Sequence, residues 1–153
     1  MLKTLTLQEA NGLLPLLKEH RFRMSAMLLH LQKLHKHLEQ KYARQLLINP
    51  KSINILLVEK KTRSKKHQGI MQEIKEIEDL IGNEIDSLMR FGAVVKSLYP
   101  LHIDFLSIRN HEPVFLCWHG EENAIKHWHY LDASTPFRQI IGQENCFGPH
   151  MVH

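Results

Sequence analysis

The chain holds only two cysteines, Cys117 and Cys146, in 153 residues, too few for a disulfide-stapled scaffold. Its longest uncharged apolar runs, such as Ile53 to Val58, fall far short of the roughly 18 residues that cross a bilayer, so no membrane-spanning helix is expected. The first twenty residues lack a continuous apolar stretch with a cleavage site and carry Glu9 and Glu19. No secretory signal is therefore expected, and a cytoplasmic protein with reduced thiols is. Catalytic signatures are missing too: there is no P-loop, dinucleotide glycine fingerprint, G-x-S-x-G or H-E-x-x-H, and no paired E-x-x-H of the di-metal helix bundles. Whether the protein is an enzyme is not legible from such motifs. Apolar residues at 43% and charged residues at 24% exclude gross disorder and collagen-like composition.

What is present suffices for one domain with a real core, since a chain of this length buries roughly two thirds of its unfolded surface. The formal net charge of +4 is local: the run from Glu59 to Gln68 holds five Lys or Arg residues, Lys60, Lys61, Arg63, Lys65 and Lys66. Those cations could neutralise phosphates. With no aromatic residues interleaved for base stacking, however, a solvated inter-helix turn is the better reading and nucleic acid is not the expected partner.

Hydrophobic spacing divides the chain. Thr6-Leu7-Gln8-Glu9 has the form of a capping box and starts a helix at Leu7. Met24, Leu28, Leu31, His35, Leu38 and Tyr42 then recur at helix spacing to about Leu47, with Pro15 expected to kink the helix or separate a short first one. His35 falls on the stripe and is read as a core or interface histidine. Asn49-Pro50 reads as a stop and restart, Ile53, Leu56 and Leu57 as a second segment, and Ile70, Ile74, Ile77, Ile81, Ile85 and Leu88 as a further helix. From Gly92 the period becomes two, with strands expected at Ala93 to Leu98, Leu101 to Ile108, Val114 to His119, Ala124 to Leu131 and Phe137 to Ile141. The fold class is thus α+β: a long N-terminal antiparallel helical hairpin packed on a small C-terminal antiparallel β-meander. As a single domain, residues 1–90 form the hairpin, 92–141 the meander and 142–153 a loose tail. The helices look longer than the sheet they cover, which suggests homodimerisation through the surplus apolar stripe.

Chemistry concentrates in Phe115 to Asp132, FLCWHGEENAIKHWHYLD. Alternation puts Cys117 and His119 on one face of a strand, and His127 and His129 on one face of the next. In a hairpin with an even register sum all four point the same way: a sum of 244 pairs Cys117 with His127, and 246 pairs Cys117 with His129. Opposed side chains of this kind can converge on an ion, and thiolate plus imidazole favours zinc, with iron or copper as alternatives. The competing reading makes Cys117 a small buried hydrophobe beside Leu116 and Trp118, and the histidines solvated polar residues. Glu121 and Glu122 could supply a carboxylate ligand or a base. Arg138 could bind a carboxylate or phosphate, or form a structural salt bridge.

The chain also resembles the bacterial domain-of-unknown-function family 2203, which has no established activity. The resemblance rests on Leu7-Gln8-Glu9-Ala10-Asn11-Gly12-Leu13-Leu14-Pro15-Leu16-Leu17, Gly92 with Lys96, His102-Ile103-Asp104-Phe105, Arg109, Val114-Phe115-Leu116-Cys117-Trp118, Glu122, Trp128-His129 and Arg138. Glycines of the family pattern near 101, 111, 121 and 134 are here Leu101, His111, Glu121 and Ser134. The resemblance implies chemistry at Asp104, Arg109, Cys117, Glu122, His129 and Arg138. It moves weight from His119 and His127 to Cys117, Glu122 and His129 as metal ligands, with Asp104, Arg109, Glu122 and Arg138 available for a small ligand. The leading expectation is a cytoplasmic protein binding a transition metal, zinc or iron, or a small anion in this pocket. The alternatives are a non-enzymatic structural or adaptor protein that dimerises through its helices, and a weak nucleic-acid binder acting through the basic run.

Overall fold

A computed structural model of the chain describes residues 3–48, 65–133, 137–142 and 146–148. The expected helix restart at Asn49-Pro50, the segment from Ile53 to Leu57, the cations Lys60, Lys61 and Arg63, and Ser134 lie outside the described residues. The fold class is the expected one, α+β, with helices first and a five-stranded antiparallel sheet after them.

Helix α1 (Leu7–Gly12) opens with the expected capping box: Thr6 Oγ1 accepts from the Glu9 N–H at 3.0 Å, and Glu9 Oε2 accepts in return from the Thr6 N–H at 3.4 Å. Leu13 closes α1, and α2 (Leu14–Ile48) starts at once. Pro15 therefore sits in the first turn of a new helix, where its missing N–H removes no intrahelical bond. Helix α3 (Lys65–Arg90) ends at Gly92, whose φ of 89° suits glycine and whose N–H bonds to the Met89 carbonyl at 3.0 Å. Among the described residues no helix is long and apolar enough to cross a membrane.

Strands β1 (Ala93–Leu98), β2 (Leu101–Arg109), β3 (Glu112–His119), β4 (His127–Tyr130) and β5 (Gln139–Ile140) form a meander in chain order. The β2–β3 connection is a two-residue turn, Asn110-His111, with φ of 50° and 66°, in place of the longer turn expected from Asn110 to Pro113. Two successive positive φ values match the right-handed strand twist, and this is the conformation that glycine near position 111 would serve. Strand β4 is shorter than expected because the segment before it is tied by side chains. Trp118 Nε1 donates to the Glu122 carbonyl at 2.9 Å, and the Ile125 N–H donates to Asn11 Oδ1 at 2.8 Å. Those backbone groups are thereby unavailable to the ladder.

The chain divides into two compact units, residues 1–24 with 84–153, and residues 25–83. In the first, Leu5, Ala10, Leu14, Leu17, Met24 and Leu88 are buried, as are Ile103, Phe105, Val114, Leu116, Trp118 and Trp128 along the sheet. These sheet residues share one face by strand parity, so that face carries the core. Beyond the end of β1, the free edge of β2 is filled by the chain ends: the Leu5 N–H bonds to the Leu106 carbonyl at 2.9 Å, and the Gly148 N–H to the Ile108 carbonyl at 3.0 Å. Within the tail read as loose, Phe147 is buried and its ring lies 6.4 Å from that of Trp128. His20 is buried and pairs with Glu84, which Arg23 also holds at 2.8 Å.

In the second unit Leu38, Ile74, Ile77 and Ile81 are buried, and His30 Nε2 meets Glu73 Oε1 at 2.8 Å. His35 is exposed, which excludes the core half of the core-or-interface expectation. The partly and fully covered stripe runs through Leu31, Leu34 and Leu38, so His35 falls one residue, or about 100°, off it.

Candidate metal centre

The register decides which polar side chains meet. Strand β3 pairs with β4 as Cys117 opposite His127 and Phe115 opposite His129, the even sum of 244. Strand β2 pairs with β3 as Asp104 opposite Cys117 and His102 opposite His119. Asp104, Cys117, His119, His127 and His129 thus lie on the sheet face opposite Ile103, Leu116 and Trp118. Three of them sit at the centre of the sheet and are almost wholly buried: Cys117 at 0%, Asp104 at 1% and His129 at 3% exposure.

One ligand atom from each of Asp104, Cys117 and His129 lies within 4.8 Å of the other two. His129 Nδ1 is 2.8 Å from the Tyr130 carbonyl, which can only accept, so Nδ1 carries a proton. The other nitrogen, Nε2, points at Asp104 Oδ2, 2.9 Å away. That backbone contact fixes the ring and leaves Nε2 as the coordinating atom, the arrangement that orients histidine ligands in metal sites. Asp104 Oδ1 is buried without a hydrogen-bond partner. A buried orphan acceptor is costly unless something cationic or protic satisfies it. For ligand distances of 2.0 to 2.3 Å, the edges of a tetrahedron are about 3.3 to 3.8 Å, so seating an ion needs shifts of at most about 1 Å in any one separation. A tetrahedral ion held by this trio would keep a fourth position open.

Burial pushes the Cys117 thiol up to about 12, and the Asp104 carboxylate beside it adds to the effect, while Arg138 opposes it. At neutral pH the thiol is protonated, which disfavours it as a free nucleophile. A bound cation would reverse this, because metals take up thiolates and release the proton.

Around the trio stands a ring of partners. Glu122 Oε1 accepts from the His119 N–H at 2.8 Å and from Arg138 Nη1 at 3.0 Å. Burial raises the Glu122 carboxyl, but the His119 N–H and the Arg138 guanidinium outweigh it and leave the group below its ordinary value. His119 is held below the usual histidine range by burial, then by Arg138 and His102, and its ring stacks on His102 with centroids 3.7 Å apart. His119 Nε2 and His127 Nδ1 are buried without hydrogen-bond partners; His127 Nδ1 lies 3.4 Å from Glu122 Oε2 but outside hydrogen-bond geometry. Lys96 reaches over Phe115, with Nζ 5.3 Å from the ring centre, and that ring packs 5.6 Å from the His129 ring.

Of the residues singled out in the sequence, the structure brings Cys117 and His129 together with Asp104, a residue expected only in small-ligand binding. Glu122 lies at the rim, holding the β3–β4 loop and Arg138. Arg109 is on the core face, its guanidinium 4.4 Å from the centre of the Trp128 ring. The signal for Asp104 was its place in the strand: a two-residue turn at Asn110-His111 puts it directly across from Cys117. No curated protein and no solved structure matches the chain. A family model described as "Uncharacterized conserved protein (DUF2203)" matches residues 3–141, a span that takes in all three described helices and all five strands, and the chain belongs to that family.

Proposed function

We propose that this protein binds a divalent transition metal, zinc or iron, through Asp104 Oδ, Cys117 Sγ and His129 Nε2. The observation that carries the reading is the convergence of these three buried atoms within 4.8 Å, with His129 already oriented by the Tyr130 carbonyl. A mixed carboxylate, thiolate and imidazole set suits borderline cations better than magnesium or calcium, which prefer oxygen alone. When bound, such an ion supplies a Lewis-acidic centre with one open position. The site needs a reduced thiol, which fits residence in a reducing compartment, the cytoplasm.

Protein purified without a histidine tag and reconstituted with zinc or ferrous iron tests this by elemental analysis after gel filtration. About one equivalent is expected in the wild type, and loss of it in Asp104→Asn, Cys117→Ser and His129→Ala. Substoichiometric metal in the reconstituted wild type refutes the reading. A second reading, homodimerisation through the helices, draws on the exposed Leu29 and Leu80 of the second unit, 54% and 52% accessible. Light scattering on the eluting peak decides it: a monomer mass at micromolar concentration removes it.

A further inference from the structure

Arg138, one residue before β5, lies on the metal-site side of the sheet, where its guanidinium meets Glu122. Its Nη1 donates to Glu122, one use of a guanidinium that carries five N–H donors. The guanidinium faces the Cys117 sulfur closely enough to act on that thiol. Lys96, exposed on β1, extends over Phe115, whose ring packs against that of His129. One cation thus stands beside the trio, and a second, Lys96, at the exposed rim.

The charge balance points the same way. A divalent ion with the Asp104 carboxylate and a Cys117 thiolate is neutral, and Glu122 cancels Arg138. Lys96, exposed at the rim, then adds a positive charge that solvent partly screens.

Resting on the metal reading above, we propose that the fourth coordination position takes a small oxyanion, a carboxylate or inorganic phosphate, clamped between the ion and the Arg138 guanidinium with Lys96 on the exposed rim. Arginine suits this role because its planar fork matches two oxygens at once. Arg138 is then the specificity element of the site, selecting an oxyanion over water or a neutral ligand.

Cobalt-substituted protein provides the test, because cobalt(II) reports coordination in the visible and a thiolate-to-metal band in the near ultraviolet reports Cys117. Acetate and phosphate are titrated separately into the wild type, Arg138→Gln, Arg138→Lys and Lys96→Gln. The wild-type visible bands are expected to shift saturably with at least one of the two anions, and the anion that saturates identifies the source. In Arg138→Gln the half-saturating concentration rises on the order of 10- to 100-fold, the worth of a charge-assisted hydrogen bond. Arg138→Lys falls between the two. Bands indifferent to both anions, or equal half-saturation in Arg138→Gln and wild type, overturn the proposal while the thiolate band keeps the metal reading standing. Absence of the thiolate band in the wild type overturns both. If Arg138→Gln does not fold, Lys96→Gln decides: a several-fold weaker anion response supports the clamp, and an unchanged one overturns it.

Discussion

Replacing Cys117 by serine removes the group whose ionisation the metal must drive. With the thiol at about 12, only roughly one chain in 10⁵ carries the thiolate at pH 7, and ionising it costs about 7 kcal/mol at 1.36 kcal/mol per unit of pH. Metal binding has to supply that energy and expels the proton. The apparent association constant therefore rises about tenfold per pH unit through this group alone, about 100-fold between pH 6.5 and 8.5. Serine has no ionisation in this range. The variant should lose one unit from the slope of log affinity against pH, and lose more affinity than the 10- to 100-fold typical of partners that only orient a ligand.

Two measurements read this. Competition against a chelator of known affinity at several pH values gives the slopes, and calorimetry in buffers of different ionisation enthalpy counts the protons released. Contributions from Asp104 and His129 are common to both proteins and cancel in the difference. A difference of about one proton is expected, with the wild type releasing more. Equal slopes would mean that Cys117 is not a ligand or is already ionised in the free protein, and the reasoning from its burial would fail.

The same thiol makes the metal-free protein sensitive to alkali. Its folded value of about 12 lies above an ordinary value near 9, so below pH 9 it contributes no pH dependence; from there to about pH 12 the unfolded chain loses a proton that the folded one keeps. Stability should fall over that window by up to about 4 kcal/mol, and Cys117→Ala should abolish this part of the decline in urea titrations. Glu122→Gln should lower stability by about 1 to 2 kcal/mol, seen as a few degrees in a thermal melt, by weakening its contacts with the His119 N–H and Arg138. It should leave metal stoichiometry intact, and loss of the metal would make Glu122 a ligand. His111→Gly should be neutral or stabilising by up to about 1 kcal/mol, because His111 holds a φ of 66°, while His111→Val should destabilise; the reverse order in chemical denaturation would refute the turn geometry.

These consequences depend unequally on what the amino-acid order discloses. The helices were legible because their signals are local: Thr6 with Glu9, Pro15 in a first turn, and isoleucines at spacings of three and four. His35 misled because Leu34 and His35 both fit such a spacing, and only packing chooses between them. Strand parity was legible in the same local way. Asp104 and Arg109 are five residues apart on one strand, an odd separation, so they point to opposite faces and could not both line one pocket. What no local window contains is which residues face each other across strands. Asp104 meets Cys117 because the turn between β2 and β3 has two residues, so that Arg109 pairs with Glu112. The four-residue turn expected from Asn110 to Pro113 would have carried the pairing two positions along, opposing Asp104 to His119 instead. Both registers keep Ile103, Phe105, Leu116 and Trp118 on the core face, so hydrophobic patterning cannot distinguish them. The choice falls to Asn110 and His111 adopting positive φ, a preference that is strong for asparagine and weak for histidine. A buried aspartate in the run Leu101 to Arg109 thus gains its chemical meaning from a turn six residues away, and the three-stranded ligand set follows from that turn length together with the even β3–β4 register.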